Sequence, residues 1–293
     1  MKTLLAVLSL LCFAPSPNTS TKASLRRILP QGITIIHEPI ILRSGESLVG
    51  HPSGSILQLA PNSNCPVIII GDPSPDPTVL TQNVHVSSFT ILGERQDQQY
   101  EGWGGDPIRK EHSVRNNGIC VRFARSIVID NMDISGCRSG GIVTERKCSN
   151  IYIINSKTHN NHFDGAAFYE TSNTFVGNCH MLENDYAGVS LYLGVTGVYM
   201  ANLTVMNNGR EAFFIRNSTA NVFNRVFVRG NDGYGIFLAK SELPNSEAVG
   251  NVFSNFVFGG RNGGYVKVND PECTDNILVN PSYTGEKFAS IDK

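Results

Sequence analysis

The sequence has almost no net charge and no long apolar run after its first residues. Its 24 Lys and Arg stand against 25 Asp and Glu across 293 residues, for a formal net charge of −1. A balance this even provides no general attraction to nucleic acid or to an anionic membrane surface. No apolar segment beyond the N-terminus reaches the roughly 20 residues that span a bilayer. We therefore expect neither a nucleic-acid partner nor membrane insertion.

Cysteine pairs with metal-binding spacing are also absent. None of the seven cysteines forms the C-x-x-C spacing that is typical of zinc sites. Without Cys12, which lies in the N-terminal apolar segment, six cysteines remain. Two alternatives stay open for these six, namely one or two disulfides or buried thiols. The sequence requires no metal and no other cofactor.

The first residues have the pattern of a targeting segment. Lys2 supplies a positive charge, residues 4–14 are apolar apart from Ser9, and a stretch rich in Pro, Ser, Asn and Thr follows. Because the apolar part is too short for a transmembrane helix, we predict a cleaved signal peptide over residues 1–23. Residues 24–293 are predicted to form one domain that is secreted or periplasmic. No feature of the sequence specifies an oligomeric state.

An internal repeat dominates the rest of the chain. Six segments begin with Gly or Ala and continue into a short apolar run, at residues 118–123, 141–146, 165–170, 188–193, 212–217 and 235–240. Their first residues follow one another at steps of 23 or 24. A spacing this regular is typical of a solenoid, in which each unit buries its apolar surface against its neighbours.

Each repeat contains β-type runs and a recurring asparagine. The runs are rich in Val, Ile, Phe and Tyr and are separated by Asn, Gly and Ser, and none has the 3.6-residue period of a helix. Asn161, Asn184, Asn208 and Asn231 each lie four residues before the first residue of a repeat. Stacked Asn side chains satisfy turn groups that one coil cannot pair alone. We predict an all-β solenoid of about 9–11 coils.

These repeats resemble the pectin-lyase-like superfamily of right-handed parallel β-helices. The resemblance rests on the Gly-apolar repeat, the Asn ladder and the coil length, and it extends over roughly residues 30–285. It implies the fold, while the superfamily includes polysaccharide lyases, glycoside hydrolases, uronan epimerases and proteins without known activity. The N-T-D, D-D and G-H-G set of galacturonan hydrolases and the D-P-H motif of mannuronan epimerases are absent. The resemblance therefore implies no single reaction.

Strand alternation predicts one chemically rich face. If the residue after each Gly or Ala points into the core, the residues at positions +2 and +4 point outward. The +4 stripe would then contain, in order, Arg122, Glu145, Tyr169, Tyr192, Arg216 and Ala239. The turns before these strands add a polar ridge of His162, Asp164, Asp185, Tyr186, Arg210, Glu211, Asp232 and Tyr234. We expect a polysaccharide to bind where the stripe and the ridge meet.

Two interruptions of the repeat are predicted to overhang this face. The longer one is a loop at residues 94–117, which contains Trp103, the single tryptophan of the chain. The shorter one spans residues 241–250. Loops inserted into a solenoid often contribute to binding, and Trp103 is placed either on a sugar ring or against the coil.

Three functions compete for this surface. The first is β-elimination or C5-epimerisation of a uronic-acid glycan, in which Arg216 neutralises the sugar carboxylate, with Arg122 or Arg210 beside it. In this interpretation His162 is the base and Tyr169 or Tyr192 the acid. Glu145 completes the stripe as a substrate contact. Ca²⁺ is an alternative neutralising cation, with oxygen ligands from Asp164, Asp185 and Asp232.

The second function is glycoside hydrolysis by two carboxylates. Asp185 and Asp232 occupy equivalent places two coils apart, as do Asp164 and Glu211. Two coil rises separate the backbones by roughly 9.6 Å, near the upper end of the ~6.5–9.5 Å of inverting enzymes. The third function is glycan binding or a structural role without catalysis.

Overall fold

The computed structural model describes residues 25–99 and 114–284 of the chain. Within them, one short 3₁₀ helix (Arg95–Asp97) accompanies a long series of strands, all paired in parallel in the registers observed. In chain order the strands are β1 (Leu25–Ile28), β2 (Gly32–Ile36), β3 (Ile40–Leu42), β4 (Glu46–Val49), β5 (Ser55–Leu59), β6 (Ile68–Gly71), β7 (Thr81–Ser87), β8 (Thr90–Leu92), β9 (Ile119–Arg122), β10 (Ala124–Asp130), β11 (Asp133–Ser135), β12 (Ile142–Glu145), β13 (Ser149–Ile154), β14 (Lys157–His159), β15 (Ala166–Tyr169), β16 (Phe175–Gly177), β17 (His180–Leu182), β18 (Val189–Tyr192), β19 (Val195–Thr196), β20 (Tyr199–Met206), β21 (Phe213–Arg216), β22 (Ser218–Thr219), β23 (Val222–Arg229), β24 (Tyr234–Ala239), β25 (Val252–Gly259), β26 (Gly264–Val268), β27 (Ile277–Val279) and β28 (Ser282–Thr284).

The strands stack as a parallel β-helix, which confirms the predicted fold. One nine-stranded sheet takes a single strand from each coil, in the order β3, β6, β9, β12, β15, β18, β21, β24 and β26. Its register pairs Ile119 with Ile142, and Ile142 with Ala166, so the 23- and 24-residue steps of the sequence are the coil length. Two further sheets, of 17 and 2 strands, complete the coil. Nine stacked strands agree with the predicted coil number.

The inward residues of the nine-stranded sheet form the core, as the alternation predicts. Ile119, Ile142, Ala166, Val189 and Phe213 each follow the small residue of a repeat and are at most 1% exposed. The residues two places later in the same strands are equally buried, while those between them lie on the outer face. Apolar burial at every second position is what stabilises each coil against the next.

The small residue at the start of each repeat is explained by a close approach between coils. A Cβ atom added at Gly141 or Gly165 would lie 2.6–2.7 Å from the backbone oxygen of the next coil, which is inside van der Waals contact. At Gly188 it would instead meet the Val205 side chain at 2.2 Å. At these three positions glycine is therefore required sterically, because any Cβ atom would clash with a neighbouring atom.

The predicted asparagine ladder is present at the adjoining turn. The Asn161 side-chain amide donates to Asn184 Oδ1 at 2.9 Å, Asn184 to Asn208 at 2.9 Å, and Asn208 to Asn231 at 2.8 Å. Asn262 continues the ladder at 3.1 Å. Each Oδ1 also accepts a backbone N–H of the preceding coil, so the ladder satisfies the turn groups that the strands leave unpaired.

Of the two cysteine alternatives, thiols are observed at five positions. Cys120, Cys137, Cys148, Cys179 and Cys273 are buried and form no disulfide. Burial raises the pKa of the Cys137 and Cys148 thiols to about 12, so these side chains act as small apolar groups. Along residues 25–99 and 114–284 the fold offers no helix with the length and apolarity needed to cross a bilayer. The predicted signal peptide and Trp103 lie outside the described residues.

Candidate active site

A cavity of about 610 Å³ opens on the outer face of the nine-stranded sheet. Its floor is formed by strands β12, β15, β18 and β21, and its walls by the turns on either side of these strands. The lining residues are Arg115, Val143, Glu145, Arg146, Phe163, Asp164, Tyr169, Glu170, Tyr186, Ala187, Ser190, Tyr192, Leu193, Arg210, Glu211, Phe214 and Arg216. Four arginines and four carboxylates thus share one cavity with five aromatic rings.

The floor carries most of the predicted +4 stripe. Tyr169 and Tyr192 are in register on neighbouring strands, with their ring centroids 6.1 Å apart in an edge-to-face arrangement. The Arg216 guanidinium lies over the Tyr192 ring, 4.3 Å from its centroid. Burial and the adjacent Asp164 charge raise the pKa of the Tyr169 phenol, so Tyr169 stays protonated at neutral pH.

Asp164 is the most perturbed acid of the cavity. It follows the turn that carries the asparagine ladder and is only 4% exposed. Its pKa is raised to about 6, chiefly by burial and to a smaller extent by the charge of Glu211. Hydrogen bonds from Ser190 and the Ala187 N–H, and the charge of Arg115, oppose this rise. The Ala187 N–H donates to Asp164 Oδ1 at 3.0 Å. A carboxyl with a pKa near neutrality is suited to proton transfer.

Glu145 lies at the opposite end of the floor and is held by a buried arginine. Its Oε1 is 2.9 Å from Arg122 Nε. Burial raises the pKa of Glu145 above its ordinary range, although the charges of Arg122 and Arg146 lower it. Burial thus raises the pKa of Glu145 as it raises that of Asp164.

The prediction that Arg122 is part of the binding face, as a member of the +4 stripe, is wrong. Its side chain is fully buried, and Nη1 donates to the Pro73 carbonyl at 3.0 Å. On this part of the outer face, Ile69 and Cys120 pack with Val114 in a small apolar cluster. The first coils of the sheet are thus covered by neighbouring chain, so Arg122 anchors Glu145 and does not line the cavity.

Four of the eight ridge residues also lie outside the cavity lining, namely His162, Asp185, Asp232 and Tyr234. His162 Nδ1 and Arg95 Nη1 are each 3.0 Å from Asp185 Oδ2, which ties the 3₁₀ helix to the ridge. Asp232 is exposed and likewise does not line the cavity. The structure therefore separates His162, Asp185, Asp232 and Tyr234 from the cavity, while Asp164, Tyr186, Arg210 and Glu211 line it.

Several lining residues were not singled out as site residues by the sequence. Phe163 stands between the predicted ridge positions His162 and Asp164, and its ring stacks on that of the ridge residue Tyr186 with the centroids 4.3 Å apart. Arg115 lies at the end of the predicted 94–117 loop, which accordingly contributes to the cavity, whereas residues 241–250 do not line it. Arg146, Glu170 and Leu193 follow the strands, and their positions directly after the +4 stripe were the available signal.

The described residues contain no group of three or more His, Cys, Asp or Glu side chains that could hold a metal ion. Asp164, Asp185 and Asp232, the alternative Ca²⁺ ligands, accordingly do not form such a group within residues 25–99 and 114–284. The arginines are the cations that the cavity itself supplies.

The family model described as "Right handed beta helix region" matches residues 110–264, more than half of the chain. The protein therefore belongs to this family of right-handed β-helices, and its resemblance to the pectin-lyase-like superfamily is confirmed. A search of the curated proteins found no match.

Solved structures share the fold at low sequence identity. The N-terminal fragment of gene product 12 of bacteriophage Phi29 is 16% identical, with a TM-score of 0.63 over 88% of this chain and 53% of that chain. ORF18 of Geobacillus virus E2 is 13% identical, with a TM-score of 0.54 over 88% and 52%. The periplasmic alginate epimerase AlgG is 15% identical, with a TM-score of 0.51 over 86% and 78%. The chain spans about half the length of the Phi29 fragment and of the ORF18 chain, and these identities show the fold alone.

Proposed function

We propose that this protein is an exported enzyme that processes a polysaccharide containing uronic acids, by β-elimination or C5-epimerisation. The observation that carries the proposal is the composition of the cavity, where Arg210 and Arg216 accompany Asp164, whose pKa is about 6. Removal of the proton at C5 of a uronate requires a base and a cation that neutralises the carboxylate. Both are present in one cavity on the outer face of the coil.

Each step has a candidate residue. Arg216 neutralises the sugar carboxylate and lowers the cost of the carbanion that forms at C5. Asp164, largely ionised at pH 7, accepts the C5 proton. In elimination, Tyr169 donates its phenolic proton to the O4 leaving oxygen as the C4–O4 bond breaks and a C4–C5 double bond forms. In epimerisation, the C4–O4 bond stays intact and Tyr169 instead donates its phenolic proton to C5 from the face opposite to Asp164.

The choice of Asp164 as base replaces the choice of His162 made from the sequence. His162 pairs with Asp185 outside the cavity lining, whereas Asp164 is buried in its wall. The alginate epimerase among the structural neighbours makes alginate a reasonable first substrate to test.

The test is the ultraviolet absorbance of the unsaturated uronate, followed with NMR of the C5 configuration, during incubation with alginate, polygalacturonate and a glucuronan. We expect product with the wild-type chain and at least a hundredfold loss with Asp164→Asn or Arg216→Ala. Asp133→Asn, which removes a carboxylate from strand β11 in another sheet, is the matched control and keeps full activity. If none of the three polymers yields a product, the proposal is contradicted.

His162→Ala separates the two base assignments. If Asp164 is the base, this variant retains most of the activity, because His162 lies outside the cavity lining. Loss with His162→Ala and retention with Asp164→Asn would return the role to His162.

A two-carboxylate glycoside hydrolase is the second candidate. Of the two pairs that the sequence suggested, Asp164 and Glu211 both line the cavity, whereas Asp185 and Asp232 do not. This function predicts new reducing ends from a glycan without formation of unsaturated product. It also predicts that Glu211→Gln abolishes the activity as completely as Asp164→Asn does.

A further inference from the structure

One wall of the cavity is a continuous column of alternating charge and aromatic surface. The Arg115 guanidinium lies 4.6 Å from the Phe163 ring centroid. Phe163 stacks on Tyr186 at 4.3 Å, and the Arg210 guanidinium lies 4.6 Å from the Tyr186 centroid. Since Phe163, Tyr186 and Arg210 come from three successive coils, the column runs along the solenoid axis.

The coil between Arg115 and Phe163 leaves space for this contact. Its turn carries Ser139 and Gly140 at the place that corresponds to Phe163, as shown by the hydrogen bond from the Phe163 N–H to the Ser139 carbonyl. A Cβ atom at Gly140 would lie 3.0 Å from Val143 and 3.2 Å from the Asp164 carbonyl oxygen. Short residues in this turn thus let Arg115 reach across one coil to the ring.

Stacking fixes the plane of a guanidinium and leaves its edge for hydrogen bonds. A planar guanidinium combines contact with an aromatic face and bidentate recognition of a carboxylate at its edge. Within residues 25–99 and 114–284, no carboxylate lies within ion-pair distance of the Arg210 guanidinium. Its orientation in the wall is therefore set by the Tyr186 ring.

We propose that Phe163 and Tyr186 are positioning residues that hold Arg115 and Arg210 as two anchor points for the carboxylates of one polyanionic chain. The chain lies along the solenoid axis, because the two arginines stand at opposite ends of the column. This inference rests on the proposed function for the glycan nature of the ligand, and it concerns binding independently of the reaction.

The inference is tested by affinity electrophoresis and calorimetry. The ligands are alginate, polygalacturonate and a glucuronan, each compared with its carboxyl-reduced counterpart. The wild-type chain should bind at least one uronan about tenfold more tightly than its neutral counterpart. Tyr186→Leu should weaken uronan binding about five- to tenfold and leave binding of the neutral polymer unchanged, while Tyr186→Phe, which keeps the ring, should bind like the wild type. Arg210→Gln should show the same selective loss without affecting the core, because Arg210 is exposed.

Tyr199→Leu is the matched control. It removes one ring of the stacked Phe175–Tyr199 pair in a different sheet and should leave binding of both polymers unchanged. Equal weakening of charged and neutral polymers by Tyr186→Leu, or no preference of the wild type for any uronan, overturns the inference. Selective binding without elimination or epimerisation supports the inference while refuting the proposed reaction.

Discussion

At the scale of single residues, Asp164 shows how burial produces a reactive acid. Its carboxyl is removed from water by the fold, and the Ala187 N–H and Ser190 compensate only part of the cost. The folded chain therefore binds a proton at Asp164 more tightly than the unfolded chain, whose carboxyl has its ordinary pKa near 3.8. The burial that makes Asp164 suitable for proton transfer should consequently lower the free energy of unfolding of the protein at neutral pH.

Stability against pH measures this cost. Because the folded-state pKa of Asp164 is raised, the protonated form stabilises the fold fully at low pH, and this stabilisation is lost as the pH rises from about 4 to about 6. In urea titrations, the free energy of unfolding of the wild type should fall over this window by up to about 3 kcal/mol more than that of Asp164→Asn. Parallel curves for the two proteins would contradict the raised pKa.

The Arg122–Glu145 pair leads to a second residue-scale prediction. Arg122→Met leaves the half-buried Glu145 without its cation and removes the donor to the Pro73 carbonyl, and should destabilise the protein by about 1–3 kcal/mol. The double variant Arg122→Met/Glu145→Gln, which removes both charges, should recover most of this loss. Chemical denaturation of the wild type and the two variants checks the prediction, and a fully stable Arg122→Met would show that the pair contributes nothing.

At the scale of elements, the turn before each strand determines the site. The asparagine of the turn is locked into the inner ladder, so the residues that follow it are held at the cavity wall. Phe163 and Asp164 follow Asn161 in this way, as Tyr186 follows Asn184. A ladder that satisfies backbone groups therefore also fixes the side chains of the wall.

The buried Asn ladder should contribute more stability than the exposed side-chain contacts that link Asn155, Asn178 and Asn202. Asn208→Ala removes the acceptor of the Asn184 N–H and the donor to the Met181 carbonyl, both buried, and should cost about 3 kcal/mol or more. Asn202→Ala breaks only an exposed amide contact to Asn178 at 3.2 Å and, with its φ of 56°, should cost about 1 kcal/mol. Thermal and urea unfolding compare the two, and equal losses would contradict the ladder's role.

At the scale of the whole molecule, the fold is built from nearly equivalent coils. The candidate site, in contrast, depends on side chains that differ from coil to coil. Each coil contacts chiefly its two neighbours, so the loss of one coil leaves the others with a compatible partner. The cavity, in contrast, draws its lining from coils between Arg115 and Arg216. Stability and function should therefore respond differently to a change in coil number.

Deletion of residues 166–188 tests this difference. It removes one coil and joins Gly165 to Val189, which occupies the register position of Ala166. We expect a shorter protein with an unchanged β-type circular dichroism spectrum and cooperative unfolding, but without polysaccharide binding, because Tyr169 and Tyr186 are lost. A chain that fails to fold would show that this coil has a role beyond its neighbours.

The fold could be predicted almost completely from the sequence, and the site only in part. The spacing of Gly118, Gly141 and Gly165 and the recurrence of Asn161 and Asn184 are local features, and stacking preserves them in register. The same periodicity predicted Tyr169, Tyr192 and Arg216 on one face. It did not indicate that Arg122, on that same stripe, would be fully buried, since its cover comes from chain distant in sequence.

By itself, the sequence determined the architecture, because a repeated coil satisfies its hydrogen bonds and buries its apolar residues by contact with a copy of the same pattern. Only the tertiary structure decided which polar residues meet. His162 is directed to Asp185, which also pairs with Arg95. Phe163, one residue later, enters the column with Arg115 and Tyr186. Contacts of this kind depend on the direction of a side chain at a turn and on segments far apart in the chain. Neither of these two factors repeats from coil to coil, so the sequence pattern could not predict the contacts.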